Sequence, residues 1–252
     1  MGLFVRKLLR LLRVILHVLW GVVQVLYYLD AKKFPGAKEK PIIQCWYQKF
    51  LQLMNIRVQM YGKLVHDNHL MVANHISWKD IVLLSSLYPT SFVAKSEIAR
   101  WPLVGWMSVR AGTLFIKRGS ISDMRRLNEQ IAQLLCDGER VTVFPEGGTG
   151  EGDEIAHLYP GMFQSVVDIE DCITIGVQPV VIIYKVDGKL HSDIPYTGDT
   201  HLLKNLWAIL GFHEIIADVY FIPPILIPRD NRKELAQKTY QQMQAVLDKN
   251  LL

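Results

Sequence analysis

The chain has 252 residues, 50% of them hydrophobic, and a formal net charge of +4 at pH 7. That length suits one sizeable α/β domain, and the slightly positive mean hydropathy is high for a soluble enzyme but low for a protein with many membrane spans. Residues 1–29 contain Arg6, Lys7, Arg10 and Arg13 and no acid, which accounts for the whole excess of positive charge. The remainder is balanced, so its charge gives no indication of a nucleic-acid partner.

The first predicted element is an apolar helix near the N-terminus. Residues 14–29 carry no formal charge and follow the basic stretch RKLLRLLR. A signal peptide is disfavoured because no small-residue cleavage site follows. A helix of this length spans roughly 24 Å, short of the roughly 30 Å hydrocarbon core, so we expect it to lie in one leaflet with its arginines on anionic headgroups. A full span, extended by Arg10 and Arg13 reaching the interface, is the alternative.

After Pro35 and Gly36 the pattern alternates between helices and strands. In chain order it predicts a helix at 42–54, strands at 57–61 and 70–73, a helix at 81–87, strands at 91–94 and 113–116, a helix at 122–136, strands at 140–144 and 174–184, and a helix at 229–252. Asp137 and Gly138 end the helix at 122–136, and Asp230 caps the last one. This alternation predicts an α/β fold with a mostly parallel sheet flanked by helices, and sites at the carboxyl ends of its strands.

The first candidate site is the run NHISWKD, residues 74–80, directly after the strand at 70–73. Ser77 and Asp80 have capping-box spacing, so Asp80 has an interpretation as a helix cap. Side chains in a first helical turn tilt toward the N-terminus, so Asp80 also reaches a histidine just ahead of the helix. An imidazole oriented by a carboxylate is typical of a general base. Both interpretations of His75 and Asp80 stay open at this point.

Two further segments hold candidate binding residues. The strand at 113–116 ends in Lys117 and Arg118, which either bind an anion or form a solvated strand end. The strand at 140–144 leads into PEGGTGEG, whose four glycines let backbone N–H groups approach an anion closely. A flexible connector is the alternative interpretation of that segment.

Other catalytic and binding patterns are missing from the sequence. It contains no G-x-S-x-G nucleophile elbow, dinucleotide fingerprint or Walker sequence. His66 and His69 are three residues apart and lack an evident third ligand, so we predict a structural loop and no metal site. The wide spacing of the three cysteines indicates reduced, cytosol-facing thiols; they are Cys45, Cys136 and Cys172.

In their order and spacing these segments resemble the glycerolipid acyltransferase family typified by bacterial lysophosphatidic acid (1-acyl-sn-glycerol-3-phosphate) acyltransferase. The family's N-H-x-x-x-x-D block corresponds to 74–80, its G-x-x-F-I-x-R block to 112–118, its F-P-E-G block to 144–147 and its V-x-P-V block to 177–180. The resemblance covers roughly residues 40–190. It implies a membrane-associating helical segment at 1–33 and an acyltransferase domain at 34–252.

The resemblance also implies a reaction. His75 would take the proton of an acceptor hydroxyl, Asp80 would orient the imidazole, and the oxygen would attack an acyl-CoA or acyl carrier protein thioester without an acyl-enzyme. Arg118, with Lys117 as a weaker partner, would hold the acceptor phosphate. The remaining substrate-binding candidates are Asn74, Glu146, Gly147, Gly148 and Thr149. No metal or cofactor is implied; the partners would be membrane lipids at the cytoplasmic face of a bacterial inner membrane.

One departure from the family bears on the acceptor. The third family block commonly runs F-P-E-G-T-R, whereas here Gly148 and Thr149 follow Gly147, and the arginine implicated in headgroup binding is missing. Lysophosphatidic acid is the expected acceptor, and another lyso-lipid such as lyso-ornithine lipid is the alternative. A thioesterase or lipid hydrolase would use the same His75 and Asp80 to activate water. A non-catalytic membrane-binding module is disfavoured, because it would leave that pair and Arg118 without a reason to coexist.

Overall fold

The computed structural model describes residues 2–28, 35–36, 38–65, 69–117, 119–169, 176–198, 200–226 and 231–251. Within these ranges the strands are β1 (Ile56–Gly62), β2 (His69–Ala73), β3 (Ser91–Lys95), β4 (Leu114–Ile116), β5 (Val141–Val143), β6 (Gly176–Lys185), β7 (Ile215–Phe221) and β8 (Ile225–Leu226). They form one sheet in the order β1-β7-β6-β2-β5-β3-β4, with β8 paired to β6.

The sheet is mixed but mainly parallel, as the alternating pattern predicts. The parallel pairs are β1–β7, β2–β5, β2–β6, β3–β4 and β3–β5. The antiparallel pairs are β6–β7 and β6–β8. The sequence pattern did not predict β7 or β8. In β7 the apolar run is broken by Asp218, which is buried beside Lys185 of β6 at 3.2 Å, a pairing that no local pattern shows.

Helices cover both faces of the sheet. They are α1 (Leu3–Tyr28), α2 (Glu39–Met54), α3 (Lys79–Leu87), α4 (Val104–Arg110), α5 (Ile121–Cys136), α6 (Gln164–Val167), α7 (Leu202–Ile209) and α8 (Arg232–Leu251), with 3-10 turns at Ser96–Arg100 and Pro160–Phe163. Alternate residues of each central strand enter different layers, because successive strand side chains point to opposite faces. Met71 of β2 packs in the layer of α2, α3 and α7, whereas Leu70 and Val72 pack in that of α5 and α8.

Helix ends follow local hydrogen-bonding rules. The Ser120 hydroxyl accepts the N–H of Asp123 at the start of α5, which ends at Asp137 as predicted. At the start of α8 the side chain of Asn231 accepts two backbone N–H groups, at 3.0 and 3.1 Å. The predicted cap, Asp230, lies outside the described residues. Asn231 therefore supplies the cap seen at the start of α8.

The N-terminal helix is longer than its apolar segment. Helix α1 contains 26 residues and includes the basic stretch, so it extends roughly 39 Å. By length and composition it qualifies as a membrane-crossing helix. The whole of α1 is therefore long enough to span a bilayer, although its apolar segment alone is not. The predicted domain boundary after residue 33 lies outside the described residues.

Helix α1 packs along its length on the α/β domain. His17 stacks on Trp46 of α2 with ring centroids 4.9 Å apart. His17 Nε2 is hydrogen-bonded to the Trp46 carbonyl, and Trp46 Nε1 donates to the His17 carbonyl. Arg6 and Arg10 donate to backbone carbonyls of residues 210–212, after α7. The prediction that the arginines rest on lipid headgroups is therefore wrong for these two. Arg13 is exposed.

Candidate active site

Two loops meet at the carboxyl ends of neighbouring parallel strands. Residues 74–78, called the His75 loop below, follow β2. Residues 144–152, called the glycine loop, follow β5. Parallel strands end at the same edge of a sheet, which is where sites form in this architecture. The loops are joined directly, since the N–H of Gly150 donates to the His75 carbonyl at 2.7 Å. The sheet thus brings together two of the three segments that the sequence singled out.

His75 and Asp80 form the contact that the helical geometry predicted. His75 Nδ1 donates to Asp80 Oδ2 at 2.8 Å, so its Nε2 is the ring's free acceptor. Asp80 is fully buried, whereas the His75 side chain is 20% exposed. Phe144 stacks on the imidazole with ring centroids 4.1 Å apart. The carboxylate fixes the tautomer, and the aromatic ring fixes the plane of the base.

Asp80 also organises the backbone of the loop. Its Oδ2 accepts the N–H groups of Ile76 and Ser77 at 2.7 and 2.8 Å. The capping interpretation is therefore correct for these two donors, and it coexists with the histidine contact. The Ser77 hydroxyl does not cap the helix, since it accepts a hydrogen bond from Lys79.

Asn74 is buried beneath the loop, and both ends of its amide are occupied. Its Nδ2 donates to the Ile182 carbonyl at 3.0 Å, and its Oδ1 accepts the Ile182 N–H at 2.7 Å. These bonds tie the end of β2 to β6. Asn74 therefore fixes the backbone directly before His75.

Glu146 faces His75 from the glycine loop. One carboxylate oxygen accepts the His75 N–H at 3.3 Å, and the other is buried without a partner among the described residues. Burial, helped by the negative charge of Asp80, raises the pKa of Glu146 to about 8. The side chain is therefore mostly protonated at neutral pH, and it can donate a hydrogen bond into the site.

The rest of the glycine loop is open. A methyl group added at Gly148 or Gly150 would meet nothing within 4 Å, whereas Gly147 has a φ of 73°, which suits glycine. The Thr149 hydroxyl donates to the Tyr196 carbonyl at 2.5 Å. Thr149 stands where the family's arginine would be, and here it holds a neighbouring segment of chain.

The two cations predicted to hold an anion are not brought to His75 by any described contact. Lys117 is exposed after β4, and β5 and β3 lie between β4 and β2 in the sheet. Arg118 lies outside the described residues. Among those that are described, no group of three or more His, Cys, Asp or Glu is placed to hold a metal.

The segment 191–197, which was not predicted from the sequence, touches both loops. The N–H of Tyr196 donates to the Ile76 carbonyl at 2.9 Å, and the Thr197 hydroxyl donates to Glu151 at 2.7 Å. No motif marks this segment, so only the tertiary structure reveals it. It holds the His75 loop and the glycine loop in one arrangement.

Comparison with known proteins gives the chemistry of this arrangement. The profile of the family described as Acyltransferase matches residues 55–183, which contain the His75 loop and the glycine loop. The chain belongs to this acyltransferase family. It is thus an enzyme that transfers acyl groups.

Individual known proteins are similar to this chain over most of its length. A lyso-ornithine lipid O-acyltransferase of Pseudomonas aeruginosa is 33% identical over 246 residues, 96% of this chain and 93% of that protein. A 1-acyl-sn-glycerol-3-phosphate acyltransferase of Neisseria gonorrhoeae is 35% identical over 158 residues, 62% of this chain and 60% of that protein. The crystal structure of PlsC from Thermotoga maritima superposes with a TM-score of 0.70 at 16% identity, covering 98% of this chain and 96% of the other, and confirms the fold.

Proposed function

We propose that the enzyme moves a fatty acyl group from a thioester to the free hydroxyl of a lyso-lipid, with His75 as general base. The observation that carries this proposal is the His75–Asp80 hydrogen bond, which leaves Nε2 unprotonated and facing outward from a buried carboxylate. Nε2 takes the acceptor's proton as the oxygen attacks the thioester carbonyl. The carbon–sulfur bond then breaks, and the thiolate receives the proton from the imidazolium.

Asp80 and Glu146 have complementary roles in this proposal. Asp80, ionised and buried, stabilises the imidazolium that forms during proton transfer. In the proposed reaction the Glu146 carboxyl is protonated at the start, and one of its oxygens has no partner among the described residues. The carboxyl can therefore form a hydrogen bond to the acceptor or to the developing oxyanion. Its other oxygen accepts the His75 N–H, which holds the carboxyl group next to the loop that carries the base.

We further propose lyso-ornithine lipid as the acceptor. Residues 144–154 carry four acids and no basic residue, namely Glu146, Glu151, Asp153 and Glu154. Lyso-ornithine lipid keeps the side-chain ammonium of ornithine, which Glu151, Asp153 and Glu154 can bind, whereas the phosphate of lysophosphatidic acid needs cations. Relatives named lyso-ornithine lipid O-acyltransferase, from Pseudomonas aeruginosa and Rhizobium meliloti, match 96% and 82% of the chain.

Lysophosphatidic acid is the second candidate acceptor. The Neisseria relatives named for that activity are 35% identical over 62% of the chain. The pair Lys117 and Arg118 and the uncrowded backbone at Gly148 are the features that would favour a phosphate. The donor in either case is a thioester of coenzyme A or of acyl carrier protein.

We propose that α1 binds one leaflet of the membrane at the side where the catalytic domain lies. One side of α1 is committed to α2 and to residues 210–212. The other side exposes large apolar residues, including Leu8, Leu12 and Leu19, each more than half exposed. A helix attached to its domain in this way cannot cross the bilayer without drawing that domain into the hydrocarbon. A helix lying in the interface keeps its contacts with the domain and places its exposed apolar side in the lipid.

A purified enzyme offered a labelled thioester with each lyso-lipid tests the proposed function. We expect acylated product from lyso-ornithine lipid at a higher kcat/KM than from lysophosphatidic acid. Free fatty acid released at equal rates with and without an acceptor would show a thioesterase instead. A preference for lysophosphatidic acid would overturn the acceptor assignment and leave acyl transfer intact.

A further inference from the structure

Lys79 is a buried cation directly behind the catalytic pair. It is the first residue of α3, next in the chain to Asp80, and is only 1% exposed. Its Nζ donates to the Ser77 hydroxyl at 2.6 Å and to the Ile194 carbonyl at 2.7 Å. The function proposed above gives this side chain no role.

The surroundings of Lys79 are aromatic. Its Nζ lies 5.5 Å from the centroid of the Trp78 ring and 5.6 Å from that of Tyr184. In the part of the chain that the structure describes, no carboxylate lies within ion-pair distance of this ammonium. Burying a cation without an ion pair is costly, because it loses hydration that neutral partners replace only in part.

Asp80 is the negative charge that supports Lys79. Burial lowers the pKa of Lys79 to about 7, and the Asp80 carboxylate opposes this shift. The same carboxylate, with burial, raises the pKa of the Tyr184 hydroxyl, so Asp80 acts on both buried groups. Ser77 connects the two groups, because its hydroxyl accepts from Lys79 Nζ and its N–H donates to Asp80 Oδ2, the oxygen that also accepts from His75.

We propose that Lys79 is a positioning residue that sets the basicity of His75 through Asp80. The inference rests on the proposed function, in which His75 is the base. A positive charge behind the carboxylate offsets part of the field that Asp80 exerts on the imidazole. The imidazolium that forms during turnover is then less stabilised than it would be beside Asp80 alone.

Other titratable groups near Lys79 are few and distinguishable. They are Asp80 on α3, Tyr184 on β6, and half-buried His191 and exposed Asp193 on the segment whose Ile194 carbonyl Lys79 bonds. None of them is changed by substituting Lys79. A shift in the pH profile of such a variant therefore reports the loss of the Lys79 charge.

The test is the pH profile of kcat/KM for Lys79→Met and Lys79→Gln beside the unsubstituted enzyme. Methionine removes the charge and both hydrogen bonds, whereas glutamine removes the charge but can still bond the Ile194 carbonyl. We expect the acidic limb to move to higher pH by on the order of one unit in both variants. Melting temperature is expected to fall more for methionine than for glutamine.

Lys185→Met is the matched control. Lys185 follows Tyr184 on β6 and is ion-paired with Asp218, so its loss removes a half-buried lysine away from Asp80. Its acidic limb is expected to stay in place. The inference would be overturned if the Lys79 variants fold and the acidic limbs of their pH profiles do not move. It would also be overturned if neither variant folds. Either result would mean that Lys79 serves to anchor segment 191–197. His75→Ala, assayed in parallel, would keep its turnover only if the proposed function itself were wrong.

Discussion

At His75 the two ring nitrogens have separate tasks in the proposed mechanism, because Nδ1 is bonded to Asp80 and Nε2 would accept the proton. Replacing His75 with alanine removes the base, while the Asp80 bonds to the loop backbone stay in place. We expect His75→Ala to lower kcat by roughly a hundred- to ten-thousand-fold with the folded state retained. Initial rates and a melting curve measure both. The exposed His157 supplies a control, since His157→Ala is expected to stay near normal activity.

Asp80→Asn separates the two roles of that carboxylate. Asparagine keeps an oxygen for the loop N–H groups but loses the charge that stabilises the imidazolium, and its amide permits the wrong tautomer. We expect a loss of rate comparable to that of His75→Ala. A variant with a lowered melting temperature and a normal rate would show that Asp80 is only a helix cap.

Glu146 makes the stability of the fold depend on pH. Its pKa is raised from 4.5 to about 8, so the folded protein keeps a proton that the unfolded chain releases above pH 4.5. The stability that this proton provides is complete below pH 4.5 and is lost as the pH rises toward 8. Glutamine is permanently neutral, so we expect Glu146→Gln to gain roughly 1–3 kcal/mol over the parent between pH 5 and pH 8. Urea unfolding of both proteins at pH 5 and at pH 8 measures the difference in their free energies of unfolding. A difference that is the same at both pH values would contradict the raised pKa of Glu146.

At the scale of elements, the glycine loop is expected to select the headgroup. Thr149 occupies the family's arginine position and its hydroxyl is held by the Tyr196 carbonyl. Thr149→Arg adds a cation at an open site, so we expect kcat/KM for lysophosphatidic acid to rise about ten- to a hundred-fold relative to lyso-ornithine lipid. Thr149→Gln, which is polar and uncharged, serves as the control. An unchanged ratio with arginine would show that the headgroup lies elsewhere.

Helix α1 is expected to bind lipid with its exposed side. Leu8→Glu, Leu12→Glu and Leu19→Glu together place charges there without touching the contacts to α2. We expect this triple variant to lose flotation with anionic vesicles while its melting temperature stays the same. Met60→Glu, on an exposed strand residue of β1, is the control and is expected to float normally. Full flotation of the triple variant would show that another surface binds the bilayer.

At the scale of the whole molecule, α1 packs against the catalytic domain, so membrane binding through α1 would hold the proposed site in one orientation relative to the bilayer. Arg6 and Arg10 attach the helix to the chain after α7, and His17 attaches it to α2. We expect the triple α1 variant to lose activity on vesicle-embedded acceptor while retaining most of its rate on a short-chain acceptor in solution. Equal losses on both substrates would mean that α1 supports the site directly. Paired assays of one preparation distinguish these results.

The sequence by itself determined the fold class, the central strands and the reaction. Strand β2 is apolar from Leu70 to Ala73 because both of its faces are covered, and the helix after it begins where Asp80 can reach His75. These features depend on spacing within a few residues, so local patterns report them. The helix at 122–136 is read correctly for the same reason, since its apolar spacing and its end are both local.

Only the tertiary structure decided how distant segments combine. It showed that Asn74 bonds to Ile182, that Glu146 is buried beside His75, and that Lys79 bonds to the carbonyl of Ile194. It also showed α1 bound to the domain by two arginines, although composition favoured their contact with lipid. Each of these contacts joins residues far apart in the chain, and burial then sets the protonation of the groups that meet. The local sequence around a residue shows neither its distant partner nor the environment in which the two residues meet.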